Sequence, residues 1–563
     1  MSKGISTGVI VFLIILLGLF VYYPLLGGIA SAFVENGRFS IRQFAGMFAE
    51  TNASTSEAIR NSVAVSVLTV LFAGMMGTLL AVATSLTRFR FRRIASALAV
   101  VPIAMPPLVG VIALLFVFGE GGIIPRLAGD LVGEGAPLFA LRGFWGILVI
   151  HVYAFHVYTY LFVSTALREI DRSLIEAALV LDASPGRIFF RIILPELKPA
   201  LLGAATLTFM SSMASFSAPF LLGGGMSFLT TIIYSTKLNG DLDLASAQST
   251  FLLLISILFF ILLTLSSKRT GGETARKGAA TPWVPGFTPF VERGLILGAL
   301  IVLFLEFLPV LSLLLISFAK EGSWTWELLP SAYTVENYTA LLTQAGIFLP
   351  VRNSVSMGVL TVIASILVGT TAAVVITKGR FSRFRGILDP LLTLSFAIPG
   401  TVVAIYLIVA FADPHWITGG QVLVGTFWIL PLAYFIRLYP LVLRSVSSSL
   451  DRLEDPVLEA AEMFGAGPGR ILRKVILPVI MPGIVAGSLL VMISALGEFP
   501  TSILLYTHAN RPISVEILSQ LRGYNFGSAG AYSVGLLVLV LLLSFISERL
   551  GGGPKEKGNG FHF

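Results

Sequence analysis

About twelve runs of apolar residues divide this chain, each long enough to cross a bilayer as a helix, which takes roughly 17 to 25 residues. They lie near 5–33, 61–87, 94–118, 143–167, 199–222 and 244–266, and again near 293–318, 353–377, 386–411, 421–445, 482–506 and 530–549. Short charged segments separate them, which makes the chain an all-α membrane protein of about 12 transmembrane helices. Composition agrees, since 56% of the residues are hydrophobic and 12% are charged, about half the charge of an average soluble domain. Ala30-Ser31-Ala32 resembles a cleavage site, but the run before it exceeds the roughly 7 to 15 apolar residues of a secretory signal. It is read as a membrane helix. Cysteine is absent, which removes disulfides, thiolate metal sites and cysteine nucleophiles.

Lysine and arginine resist translocation and so mark one side of the membrane. They collect after the second run (Arg88, Arg90, Arg92, Arg93), the fourth (Arg168, Arg172, Arg187, Arg191, Lys198) and the sixth (Lys268, Arg269, Arg276, Lys277). The bias repeats with Lys378, Arg380, Arg383 and Arg385, then with Arg444, Arg452, Arg470, Arg473 and Lys474. These segments are expected to be cytoplasmic, and both termini with them. The net charge of +8 therefore reports membrane orientation rather than nucleic-acid binding.

The halves repeat one another. Arg60-Asn61-Ser62-Val63 matches Arg352-Asn353-Ser354-Val355, Gly77-Thr78 matches Gly369-Thr370 and Pro107 matches Pro399, all at an offset of 292. Further on the offset is 283, a contraction around the outer loop after the third run, where length changes are cheap. Equal span numbers and equal orientation make this a parallel duplication about an axis along the membrane normal. The division reads as a first six-helix module over 1–266, a cytoplasmic linker rich in Lys, Arg, Gly, Thr and Pro over 267–292, a second module over 293–550 and a cytoplasmic tail over 551–563.

One pair of matching segments stands out: EAALVLDASPGRIFFRIILPELKPAL (176–201) and EAAEMFGAGPGRILRKVILPVIMPGI (459–484). Both share Glu-Ala-Ala (Glu176, Ala177, Ala178; Glu459, Ala460, Ala461), Pro-Gly-Arg-Ile, and a Leu-Pro (Leu194, Pro195; Leu477, Pro478) whose proline follows the glutamate by 19 positions. A carboxylate favours the positive end of a helix, the alanines leave a small packing face, and the prolines are expected to break the helix before the next run. The pattern resembles the signature loop of the membrane subunits of binding-protein-dependent ABC importers, and the resemblance covers nearly the whole chain, twice. It implies two tandem permease modules related by a parallel pseudo-twofold, each loop being two short helices joined at a glycine that dock on a cytoplasmic ATPase. Two ATPase copies and an extracytoplasmic substrate-binding protein are the implied partners. No cofactor is expected on this chain, ATP and Mg belonging to the ATPase, and the chain is not expected to be an enzyme. A phosphate-binding loop needs Gly-x-x-x-x-Gly-Lys-Ser/Thr; Gly223-Gly224-Gly225 and Gly551-Gly552-Gly553 lack the lysine. The second copy has the family's Gly465, whereas the first has Asp182, which tolerates a left-handed turn better than most residues.

A prokaryotic plasma (inner) membrane location follows from the resemblance. Within the family, the fused halves, the segments 217–222 and 497–505, and the stretch 511–517 look most like ferric-iron permeases and their thiamine-transporting relatives. Ser211, Ser212, Ser215 and Ser217 set hydroxyls along the fifth run, and Glu498 takes the position matching Ser215. An intramembrane carboxylate costs roughly 2.5 to 3.5 kcal/mol to insert and so faces a cavity or a partner. Glu498 thus reads either as a wall of the path, attracting a cationic substrate, or as half of a structural pair or a residue at the membrane edge. His151 and His156 do not share the i, i+4 face that a helical metal pair prefers, and Tyr434 and Tyr439 replace them in the second half; they read as interfacial or packing residues. Glu306 and Arg437 are further intramembrane charges, expected to pair mutually or to sit at the lipid interface. No catalytic constellation and no metal site appear. The competing class is an ion-coupled secondary carrier using Glu498, Glu306 or the histidines, but such a carrier has no use for two matching docking loops.

Overall fold

Hydrocarbon offers no partner to a backbone N–H or C=O, so an apolar run that crosses it closes its hydrogen bonds within itself as a helix. The computed structural model describes residues 7–35, 37–49, 52–133, 139–270, 287–325, 327–378 and 381–551. Most of the linker expected over 267–292, the tail from 552 onward, and Arg276, Lys277 and Arg380 lie outside them. The linker's two ends are helical: Leu242–Thr270 continues through its first residues, and Pro289 opens the next helix.

Sixteen helices carry the architecture, eight in each half. In the first they are α1 (Ile10–Ser31), α2 (Ala53–Leu86), α3 (Pro107–Phe118), α4 (Gly143–Glu169), α5 (Arg172–Val180), α6 (Leu194–Met213), α7 (Ser217–Leu222) and α8 (Leu242–Thr270). In the second they are α9 (Pro289–Ser317), α10 (Ala345–Thr377), α11 (Gly400–Phe411), α12 (Ile429–Asp451), α13 (Asp455–Met463), α14 (Leu477–Leu496), α15 (Pro500–Leu505) and α16 (Phe526–Gly551). Among the described residues, ten helices are long and apolar enough to cross a membrane, or eleven with one bent pair counted, against about twelve expected. The run 386–411 bends by 93° between Ser382–Ala397 and α11. Pro399 sits at that bend, and a proline both lacks the N–H to continue a helix and restricts the residue before it. The run 199–222 is split as well, α6 stopping at Met213 and α7 starting at Ser217.

Contacts repeat between halves as the sequence does. The Ser62 hydroxyl accepts from the Leu229 N–H at 2.8 Å, and the Ser354 hydroxyl accepts from the Ile513 N–H at 2.8 Å. Thr230 donates to the Ser215 carbonyl at 2.7 Å, and Ser514 to the Glu498 carbonyl at 2.8 Å. Gly77 lets α2 lie directly on α4, and Gly369 lets α10 lie on α12.

The first helix of each half crosses to the other half. Gly28 of α1 lies under the ring of Tyr406 on α11, and the Tyr23 hydroxyl meets His415 Nε2 at 2.7 Å. In return, Ser312 of α9 donates to the Ala113 carbonyl of α3 at 3.2 Å. The glycine contacts give a graded expectation. A Cβ at Gly77 would overlap the His156 carbonyl, whereas one at Gly369 would sit 3.0 Å from the Leu443 nitrogen. Gly77→Ala should therefore lower thermal stability by about 1–3 kcal/mol, the usual range for overpacking, and Gly369→Ala by less; unfolding of the purified variants, followed by tryptophan fluorescence, reads the order.

Candidate functional site

Each repeated loop folds as a helix, a left-handed turn and a second helix. In the first, Asp171 caps α5 by accepting from the Ser173 N–H at 2.9 Å. Asp182 then takes φ +55°, with Asp182 N–H donating to Leu179 C=O at 3.0 Å and Ala183 N–H to Ala178 C=O at 3.0 Å. In the second, Gly465 takes φ +74°, and the same two bonds run from Gly465 to Glu462 at 2.9 Å and from Ala466 to Ala461 at 3.0 Å. Both are Schellman endings, which satisfy the last carbonyls of a helix by one residue in the left-handed region. Aspartate thus holds the turn that glycine holds in the other copy.

Two expectations about these loops need correction. Glu176 and Glu459 do not open their helices; each is the fifth of nine residues, and Asp171 and Glu454 occupy the N-cap positions. Pro195 and Pro478 do not break the chain's helical path either. A π turn, Phe189–Ile193 in one copy and Leu472–Ile476 in the other, sits just before each proline. The Leu194 N–H reaches the Phe189 carbonyl and the Leu477 N–H the Leu472 carbonyl. This five-residue register starts a new α stretch at the proline, where a missing N–H costs nothing.

The loops are anchored by buried Ile175, Ile188 and Ile193 in one copy and by Leu458, Ile471 and Ile476 in the other. Their turns point outward: Val180, Leu181, Met463 and Phe464 are between 81% and 90% exposed. Glu176, Ala177, Glu459 and Ala460 are exposed beside them.

At the seam between the halves, the breaks after α6 and α14 face each other. Phe216 and Phe499, at matching positions in the two breaks, meet at 5.8 Å between ring centroids with their planes tilted by 51°, and Phe220 lies 6.2 Å from Phe499. The serines of α6 are tied sideways. Ser212 is within 2.9 Å of both His151 Nδ1 and Ser66 Oγ, and Ser211 donates to the Tyr158 hydroxyl at 3.5 Å. Ser215 is half-buried at the break itself.

Glu498 has a partner. One carboxylate oxygen pairs with Arg437 Nη1, and the other accepts from the Thr501 hydroxyl at 2.7 Å and from its N–H at 3.2 Å. Gly400 makes the room, because a Cβ there would stand 2.8 Å from Glu498 Oε1 and 3.1 Å from Arg437 Nη1. The first half has Leu108, Ala154 and Ser215 at the positions of Gly400, Arg437 and Glu498. Glu306 and Arg437 do not pair mutually. Glu306 of α9 instead meets His156 Nε2 of α4 at 2.9 Å, both side chains being buried, and His156 Nδ1 lies 2.9 Å from the Tyr153 carbonyl. Tyr439, at the position matching His156, meets Tyr22 of α1, so both halves use this position to hold the crossing helix. Sequence reasoning allowed Glu498 a structural pair without naming Arg437 and missed the Glu306–His156 pair; the signal available was that Gly400, Arg437 and Glu498 all differ in character from their counterparts. Among the described residues no group of three His, Cys, Asp or Glu is placed to hold a metal ion.

Ten or eleven membrane-length helices among the described residues, doubled loops with exposed tips and a seam of broken helices define a multi-pass membrane permease. The chain belongs to the family described as binding-protein-dependent transport system inner membrane component, whose pattern matches it twice, over residues 73–271 and 365–552. It is accordingly an inner-membrane permease subunit of an ABC importer, working with a binding protein and with an ATPase that binds the ATP; it binds no cofactor and is not itself catalytic. This displaces the ion-coupled carrier. A probable ABC transporter permease protein, y4fN of Sinorhizobium fredii, is 30% identical over 455 residues, covering 79% of each chain. The ferric transport system permease protein FbpB of Actinobacillus pleuropneumoniae is 25% identical over 97% of this chain and 78% of its own. A solved bacterial alginate ABC transporter, in complex with an alginate pentasaccharide-bound periplasmic protein, matches 46% of this chain and 97% of its own compared chain at 19% identity, with a TM-score of 0.37.

The pair at Glu498 makes a prediction by substitution cycle. Glu498→Ser alone leaves the Arg437 charge without its partner and should cost about 1–3 kcal/mol. Adding Arg437→Ala and Gly400→Leu, which installs the residues of the first half, should recover most of that loss. Thermal unfolding of the three variants reads the coupling, and strictly additive losses would refute it. At the loops, Gly465→Val should impair ATPase binding without impairing membrane insertion, because a β-branched side chain is strained at positive φ although open space surrounds it. Asp182→Val should be milder, since a side chain already stands there; pull-down of the ATPase compares them.

Proposed function

We propose that the two halves form one substrate path, related by a parallel pseudo-twofold along the membrane normal, with the Phe216–Phe499 seam across it. The modules are 1–266 and 293–550, joined by a cytoplasmic linker, with both termini cytoplasmic. Glu176, Ala177, Ala178, Asp182, Leu194 and Pro195, with Glu459, Ala460, Ala461, Gly465, Leu477 and Pro478, build two sockets for two copies of a cytoplasmic ATPase. Ser211, Ser212, Ser215 and Glu498 line or support the path, Glu498 with its charge balanced by Arg437.

The observation that carries this reading is the exposed tips. Val180, Leu181, Met463 and Phe464 present apolar surface to solvent on two matching, firmly anchored turns, and exposed apolar patches of this kind mark protein contacts. An external binding protein delivers the substrate. Ferric iron is the substrate best supported, through the likeness to FbpB along 97% of the chain; thiamine or another small solute would travel by the same mechanism.

Assembly is the direct test. One copy of this chain should bind two copies of the ATPase, as measured by the mass of the purified complex; a single ATPase per chain would contradict it. Because the natural chain has no cysteine, Ser184→Cys supplies a unique thiol on the first loop. It should react with an impermeant maleimide only from the cytoplasmic side, and bound ATPase should shield it. Uptake of labelled ferric iron against labelled thiamine, each delivered by the binding protein into proteoliposomes, decides the substrate.

A further inference from the structure

The halves differ sharply in charge at the ends of α2 and α4. In the second half Arg385 grips Asp451 with two bonds, at 2.6 and 2.7 Å, and Arg444 lies 3.6 Å from Asp389. The matching residues of the first half are Arg93 and Arg168, then Leu161 and Ala97. Both carboxylates are gone, and an arginine stands in place of one of them. Arg88, Arg90 and Arg92 lie alongside, and all five side chains are exposed. None has a carboxylate partner among the described residues. Glu292, the acid beside them at the start of α9, accepts from the backbone N–H of Arg88 at 2.7 Å through one carboxylate oxygen and forms no ion pair with these arginines among the described residues.

Apolar groups are exposed in the same place. Phe91 and Ile94 face outward from the segment that carries the arginines, the Arg90 guanidinium lying 5.9 Å from the Phe91 ring. Phe290, at the start of α9, is 88% exposed. The two segments meet, since Phe89 and Ala95 share one apolar cluster with Phe287, Leu295 and Ile296. Guanidinium groups flanked by exposed aromatic and aliphatic side chains at a membrane edge suit the boundary between phosphate headgroups and acyl chains. Orientation alone does not demand unpaired arginine, because the second half keeps the same inferred orientation with Arg385 neutralised.

The geometry points to a binding site for an anionic phospholipid on the exposed surface where residues 88–94 meet the start of α9. Arg90, Arg92 and Arg93 take the phosphate, and Phe91, Ile94 and Phe290 lie along the acyl chains. The site rests on the orientation proposed above and is peculiar to the first half. Its apolar floor also holds Ile175, Ile188 and Ile193, so the lipid sits against the base of the first loop.

The test uses the full purified chain, with phosphatidylglycerol, phosphatidylcholine and inorganic phosphate as probes in native mass spectrometry and thermal unfolding. Wild type should retain phosphatidylglycerol over phosphatidylcholine, and salt should weaken the retention. The triple variant Arg90→Gln, Arg92→Gln, Arg93→Gln should bind it roughly tenfold more weakly or worse, while the same three changes to Lys, and Arg383→Gln in the second half, should keep it. Equal retention by the Gln triple variant, equal retention of phosphatidylcholine, or stabilisation by inorganic phosphate alone would overturn the lipid site. Maleimide labelling of an Arg90→Cys variant from the outside would overturn the orientation, a separate result from headgroup binding.

Discussion

A peptide group in hydrocarbon has to find its hydrogen-bond partner within the protein, and this structure is organised by where that rule holds and where it is relaxed. The long helices obey it internally. Most relaxations fall at matching places, before α3 and α11, after α6 and α14, and in the π turns that precede Pro195 and Pro478; a further π turn, Gly18–Tyr22 inside α1, has no counterpart in α9. Each lies where protein surrounds the open backbone groups, or where a proline removes the donor. The breaks after α6 and α14 leave Ser215 and Glu498 with free carbonyls, which Thr230 and Ser514 satisfy from neighbouring helices. The seam is therefore built from irregular backbone that the protein, not lipid, completes.

The halves repeat several backbone contacts and differ in chemistry. Gly400, Arg437 and Glu498 place a charged pair where Leu108, Ala154 and Ser215 place apolar bulk and a hydroxyl. Room lost at one position is regained at another, so packing is kept while the electrostatics change. A charge pair of this kind is weak evidence for stability in itself, because desolvating both ions offsets much of their attraction. Its value lies in giving one wall of the seam a dipole that the other wall lacks. The asymmetry recurs at the ends of α2 and α4, where one half pairs its arginines and the other leaves them open.

Much of this was legible in the sequence because it is local or repeated. Run length gives the helices, and the offset between copies gives the duplication. The left-handed turn at Asp182 follows from its alignment with Gly465. What the sequence did not yield is contact between distant helices. Arg437 finds Glu498, and Glu306 finds His156, through packing that no periodicity encodes. The π turns were hidden for a different reason: Leu-Pro reads as a helix stop, and a one-residue widening that lets the helix pass leaves no residue signature of its own. The crossing of α1 and α9 was equally invisible, since apolar faces on a lipid-facing helix do not name their neighbour.

That crossing has a consequence for biogenesis. Tyr23 and His415 are separated by 392 residues, so the first helix is made and inserted long before its docking surface exists. At typical synthesis rates of about 5–20 residues per second, the wait is roughly 20–80 seconds. For that time the face of α1 that carries Gly28 and Tyr23 waits without its partner, although the Tyr23–Ser31 stretch already has α8 of its own half to pack against. The fused chain is therefore completed late, because the contacts of its first helix close only after most of the second half has been made.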